Sequence, residues 1–289
     1  MTQRIVTELK AVGSEYLKDL FAGDQALDPA DIATAETPGW FTNQDPIWTV
    51  NSDPSLLIGG IASLFIQTLH PLVMAGVADH SDYETDTLGR LHRTGRFIAA
   101  TTFAKEEIAQ QSVDIVNKIH LKINGQAPDG RTYSATTSDL LNWVHVTETY
   151  CFISAYQKFG PKKISDTDAD LYVQQMGMIS SKLGVQDPAQ SMPEITAQLN
   201  QFESECEYKE QAKETIKFLI NPQVVPKPLK PAYALVVVSA LSLLPLWARK
   251  LMLVPLPPLI TPIGVYPAAK ILSSALRWFQ VHPSKQIVD

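Results

Sequence analysis

"LLNWVHVTETYCF", residues 140–152, decides how this chain is read. Leu141, Glu148, Thr149 and Phe152 stand at i−4, i+3, i+4 and i+7 from His145, so an α-helix gathers them on one face. The stretch reads as an apolar helix with an imidazole at its middle. A buried imidazole needs a partner for each ring nitrogen or carries a desolvation cost. A metal or haem iron satisfies one nitrogen. A neighbouring carbonyl, or Glu148 a turn away, serves as well, and the stretch alone leaves both open.

Outward from this helix, the same spacing governs almost the whole chain. Residues 1–22 read as an amphipathic helix closed by Gly23, followed by a loop with Pro29, Pro38, Gly39 and Pro46. Asp53 can cap a long apolar helix whose first turn holds Pro54, and that helix should end at or before the residue preceding Pro71. Helices follow over 84–100 and 104–122. The insert "NGQAPDGRTYSATTSD" carries Asn124-Gly125 and Asp129-Gly130, two turn signals that place a small hairpin there. Ser138 or Asp139 opens the helix that carries His145, which runs to about Lys158. Further helices are expected over 166–183, 192–219, 232–244 and 268–280. Half of the 20 prolines lie between Pro222 and Pro267, which predicts stiff extended connections with short helices. The expectation is one all-α domain over residues 1–289.

Composition removes several function classes. A net charge of −6 gives no basic field to attract nucleic acid. Cys151 and Cys206 have no CxxC spacing, which excludes a zinc–cysteine site and suggests two buried reduced thiols. Arg4, Glu8, Lys10, Glu15, Lys18 and Asp19 interrupt any apolar leader at the start, so a cytoplasmic location is expected. Residues 54–78 and 231–248 contain no Asp, Glu, Lys or Arg. Gln67, His70, Pro71 and Gly59-Gly60 suit the first run to a buried functional helix. The second sits at the lower edge of a membrane-spanning length and is broken by Pro245; it reads as a buried or surface-docking helix, with peripheral membrane contact left open.

A second polar face lies in "GRLHRTGRF", residues 89–97. Arg90, Arg93 and Thr94 share a helix face, and two stacked cations need something anionic or polar opposite. Haem propionates, bound dioxygen or a carboxylate from another helix would suit charge-assisted arginine bonds. A surface salt bridge with Glu84 or Asp86 is the plainer alternative. Asp79-His80-Ser81 is no hydrolase triad, because consecutive side chains point apart. No GxSxG, HExxH, Walker A or GxGxxG motif occurs. Two histidines with acids could form a non-haem metal site, but no HxxxH spacing supports one.

Taken together, "LLIGGIASLFIQTLHPLVMAGVADHSDYETDTLGRLHRTGRFI", "GRLHRT" and "LNWVHVT" resemble the haem-associated oxygenases that include the rubber oxygenases (latex clearing proteins) and the MpaB-type oxygenases. Each motif is weak singly; their order and spacing are specific, and the resemblance spans roughly residues 45–250. It implies an all-helical fold with b-type haem between helices and dioxygen as co-substrate. It also implies that His145 is the proximal iron ligand, that Arg90 and Thr94 act on bound oxygen or a propionate, and that Glu148 lies in the active site. Rubber oxygenases carry Arg-x-x-Lys-Thr on the distal helix, where the lysine can itself ligate iron. Here Arg93 stands at the lysine position, and a guanidinium has no lone pair to give. The sixth position is then open or water-filled, or taken by His92 or Glu148. The departure argues against rubber as substrate and toward a small apolar one, isoprenoid or lipid-like, against Phe97 and Phe152. His70 and His80 are expected as pocket groups beside the cofactor, with a structural role for His80 as the alternative. Haem binding without catalysis, and a family member without haem, are the rival readings.

Overall fold

A computed structural model describes residue 15 and residues 23–82, 85–254 and 261–279. The expected helix over 1–22 and the Glu84 side chain lie outside the described residues. The rest is helical apart from one hairpin, so the all-α expectation holds.

The centre of the fold is the helix announced by the opening stretch. It runs Ser138–Phe159. Its 22 residues include 12 buried ones distributed around its circumference, the pattern of a helix enclosed on every side. The other helices are best placed relative to it. In chain order they are α1 (Pro46–Asn51), α2 (Leu56–Gln67), α3 (Pro71–His80), α4 (Thr87–Phe103) and α5 (Glu106–His120). The central helix is α6. After it come α7 (Asp166–Leu183), α8 (Met192–Gln201), α9 (Glu210–Ile220), α10 (Lys230–Leu243), α11 (Leu246–Leu251) and α12 (Tyr266–Phe279). Strands β1 (Asn124–Gln126) and β2 (Thr132–Ser134) form the antiparallel hairpin that the two Gly turns predicted.

Two hydrophobic clusters meet on α6. On one side, Trp143, Val146, Cys151 and Ala155 pack with Ile58, Ala62 and Phe65 of α2 and with Val236, Val237 and Ala240 of α10. On the other, Phe152, Ile153 and Tyr156 pack with Ile47 and Val50 of α1, Phe97 and Ile98 of α4, and Tyr172 and Met176 of α7. The α2–α6 contact is close because Gly59 permits it. A Cβ at Gly59 would come within 2.9 Å of the Cys151 carbonyl oxygen and the Phe152 Cα.

Two sequence expectations need correction. Asp53 does not cap α2, which begins at Leu56. Its Oδ1 accepts from the Ser55 amide at 2.9 Å, and both its oxygens are held by Arg277 of α12, whose Nη2 also donates to the Phe159 carbonyl. A buried, bidentate ion pair thus outcompetes the local cap and ties α12 to the start of α2 and the end of α6. The helix expected over 192–219 breaks after Gln201. There Phe202 turns in against His70 and Trp143, and the Glu207 amide bonds to the Leu69 carbonyl at 2.8 Å. Tertiary packing overrides helix spacing at that point. The uncharged run at 231–248 lies largely in α10, which buries Val236, Val237, Ser239, Ala240, Leu241 and Leu243 in the core.

Among the described residues no single helix is long and apolar enough to cross a membrane. Helices α2 and α3 pass such a test only jointly, and they are bent by 106° at His70-Pro71. Pro71 supplies the bend, since it lacks the amide that would continue α2.

Candidate active site

His145 is 5% exposed and by helical spacing shares a face of α6 with Phe152, which packs with α1, α4 and α7. Its Nδ1 lies 3.3 Å from the Thr149 hydroxyl one turn on. Its Nε2 is buried and has no hydrogen-bond partner. Burial pushes its pKa down to about 4, so the ring is neutral at pH 7. A neutral ring whose Nδ1–H donates to Thr149 Oγ1 carries its lone pair on Nε2. In that tautomer Nε2 is an unprotonated donor without a partner; with the Thr149 hydroxyl donating instead, Nε2 carries the hydrogen, and either way it is buried and unused.

Glu148, one turn away, keeps some accessible surface but is closely surrounded by protein. Burial pushes its carboxyl up to about 7, and a hydrogen bond from Gln67 opposes the shift. Gln67, at the end of α2, also donates from Nε2 to Thr147 Oγ1 at 3.2 Å. On the same stripe of α2, Gly60 has nothing within 4 Å of where a Cβ would stand. Open space thus borders the helix face that holds Gln67. A further polar chain lies under the His145 side of α6: Tyr172 Oη donates to Asn51 Oδ1 at 3.2 Å, and Asn51 Nδ2 donates to Thr102 Oγ1 at 2.9 Å. It locks α7, α1 and α4 together by buried, satisfied bonds.

The arginine face sits differently. Asn117 of α5 donates to the Lys182 carbonyl near the end of α7, and the Gln186 amide just beyond donates to Ser138 Oγ at the start of α6. With α4 folding back along α5 and α6 along α7, the Arg90 end of α4 and the His145 end of α6 lie at one end of the bundle. The side chains themselves are engaged locally. Arg93 is exposed and pairs with Asp86 at 2.9 Å, the plainer of the two alternatives the sequence offered for it. That pairing draws the Asp86 carboxyl below its ordinary range. Arg90 Nη1 donates to Ser81 Oγ at 2.9 Å, and Thr94 is exposed.

His70, His80 and His92 all stand among the described residues. His70 is fully buried, packed 5.8 Å from Trp143 and 6.3 Å from Phe202, with Nε2 3.5 Å from Glu205 Oε2 and neither ring nitrogen hydrogen-bonded. Trp143 precedes His145 by two residues, about 200° around the helix, so His70 lies across α6 from His145. His80 is exposed and reaches the Asn124 carbonyl at 3.3 Å, while Tyr133 donates to the adjacent Asp79. This fits the structural alternative for His80, as an anchor of the hairpin. His92, the other candidate for the sixth position, covers Gly23, where a Cβ would fall 2.7 Å from its ring. Gln67 and Thr149 are the functional-site residues that spacing did not single out by role. The signal for Gln67 was a lone amide on an uncharged helix, and for Thr149 its i+4 relation to His145.

Among the described residues no group of three His, Cys, Asp or Glu side chains converges as a metal cage would require. What His145 offers is one buried nitrogen without a partner. That donor fits iron already held in a macrocycle, as b-type haem is, because haem asks the protein for one or two axial ligands only.

The family model described as "ER-bound oxygenase mpaB/B'/Rubber oxygenase, catalytic domain" matches residues 48–263. No curated protein and no solved structure matches the chain significantly. The matched span takes in α1 to α11, with both the His145 and the Arg90 faces.

Proposed function

The chain belongs to this family of mpaB and rubber oxygenase catalytic domains, and from that premise we propose that it is a haem b-dependent oxygenase using dioxygen on a small apolar, isoprenoid or lipid-like substrate. The observation that carries the reading is His145 Nε2, a buried nitrogen with no partner in the protein. An unsatisfied buried polar atom costs about 1–3 kcal/mol, so a ligand that uses it recovers that cost.

Haem iron, when bound, supplies oxygen activation, tuned by its axial ligand and by the polarity around it. The chain's own residues do the rest. Thr149 holds the His145 ring orientation, the role a hydrogen-bonding partner plays behind a ligating imidazole. Glu148, its carboxyl raised to about 7, can hold or release a proton near neutral pH, and Gln67 orients it. Arg90 and Thr94, at the same end of the bundle, would donate hydrogen bonds to dioxygen or to a propionate. Arg90 would exchange its Ser81 bond for that contact. Arg93 is assigned to a propionate as a charge-assisted donor, in exchange for Asp86. Phe97 and Phe152, in one cluster, offer an apolar wall to the substrate.

A second reading, haem binding without oxygenation, draws on one observation: Arg90 and Arg93 bond to Ser81 and Asp86 rather than toward His145. Oxygen uptake by the haem-loaded protein with a panel of short isoprenoids separates the two. Substrate-dependent uptake that falls in Arg90→Ala supports the oxygenase. A full Soret band with no uptake across the panel supports haem binding alone. A protein that stays colourless with haem supplied overturns both.

A further inference from the structure

Charge and exposure single out the last quarter of the chain. Between Glu214 and Asp289 the sequence holds eight lysines and arginines and no acidic residue, in a chain whose net charge is −6. Such asymmetry marks a segment that meets an anionic partner. The same segment leaves large apolar side chains in solvent: Leu246 at 59%, Leu253 at 81%, Ile263 at 74%, Ile271 at 71% and Trp278 at 45% exposed.

These residues have an order. On α11, Leu246 and Lys250 stand at i and i+4, an exposed leucine beside an exposed lysine on one face, and Leu253 follows in the turn that ends the helix. Helix α12 buries Ala269 and Ser273, while Pro267, Lys270, Ile271, Ser274, Ala275 and Trp278 form its outward face. A solvated helix face ordinarily carries charges of both signs. This one is apolar or small except for a lysine. Leu253 adds an independent sign. It adopts a left-handed backbone, φ 57°, at a helix end where glycine is the usual residue. A leucine there bears backbone strain and gains no burial, so nothing among the described residues accounts for it.

We propose that the outward faces of α11 and α12 form a docking surface for an anionic lipid bilayer. Leucine, isoleucine and tryptophan enter the headgroup boundary, and Lys250 and Lys270 meet lipid phosphates and carboxylates. The surface includes neither His145 nor Arg90 and needs neither haem nor oxygenation to act. Another group of exposed apolar residues, Ile115, Ile119 and Leu121, sits among charges of both signs on α5 and lacks this complementarity.

Flotation of the full chain with vesicles tests the proposal. Vesicles of phosphatidylcholine containing phosphatidylserine should carry the protein upward, and added salt or pure phosphatidylcholine should weaken this. Leu253→Gly relaxes the backbone and removes the apolar anchor. It should melt no lower than the wild type yet bind about tenfold more weakly. Lys250→Gln and Lys270→Gln should each weaken binding by about fivefold. No flotation with the anionic vesicles, or variants that float like the wild type, overturns the proposal. So does a dimer in sedimentation that Leu253→Gly dissolves, since a second copy of the chain would then be the occupant.

Discussion

The His145 face of α6 and the Arg90 face of α4 look alike in sequence: polar side chains at i, i+3 or i+4, on helices that meet in one core. Folding separates them. Arg93 and Asp86 satisfy each other in solvent at little cost, and Arg90 has Ser81. His145 is sealed among apolar groups with one nitrogen held and the other left without a partner. The first face is complete within the protein. The second is incomplete, and an incomplete buried polar group is the stronger sign of a ligand.

The comparison breaks most sharply at His145. His145→Leu should abolish haem-dependent absorbance altogether while stabilising the haem-free protein by about 1–3 kcal/mol, since an unsatisfied nitrogen is removed from the core. For a chain of this size each kcal/mol is a shift of about 2–4 °C, readable in a calorimetric melt. A variant that melts lower than the wild type would mean the imidazole is satisfied after all.

The two glycines of α2 sharpen the picture of what surrounds that face. Gly59→Ala should cost about 1–3 kcal/mol, because its Cβ meets the backbone of α6 and neither helix can give way cheaply. Gly60→Ala, facing open space, should be neutral or gain up to about 1 kcal/mol from helix propensity in the haem-free chain. Denaturant midpoints of the two variants check this pair directly.

Glu148 gives a dependence on pH. Burial raises its carboxyl from an ordinary 4.5 to about 7, so the folded state prefers the neutral form, against the opposing bond from Gln67. Its contribution to stability is fully present below pH 4.5 and is lost as pH rises through 7. Cys151 and Tyr172 face the same charge and are pushed up further by it. Glu148→Gln should therefore track the wild type at pH 4.5 and pull ahead of it by pH 7 and above, in melts recorded across that range. The smallest effect belongs to the other face: Arg93→Ala should move stability by less than about 0.5 kcal/mol, as exposed ion pairs do.

The contrast also marks how far sequence spacing reaches. The central helix, the hairpin at Asn124-Gly125 and Asp129-Gly130, and the break at Pro71 are local effects of periodicity and turn chemistry, and each was legible. The break at Phe202 and the Asp53–Arg277 pair depend on residues more than a hundred positions away in at least one partner, and no local rule announces them. At the site, helical spacing put Thr149 and Glu148 beside His145. It could not tell which face of α6 His70 would occupy, because that is set by how α2 and α3 bend around Trp143. Nor could it choose between ligand and salt bridge for Arg93, since either partner satisfies a guanidinium.

The most direct measurement is imidazole rescue. The wild-type chain, His145→Gly, and His145→Gly with free imidazole are loaded with haem, desalted and read at the Soret band. If Nε2 of His145 is the axial donor, the wild type retains haem, the glycine variant loses it, and imidazole restores it. Equal haem retention by wild type and variant, with imidazole making no difference, would contradict that assignment.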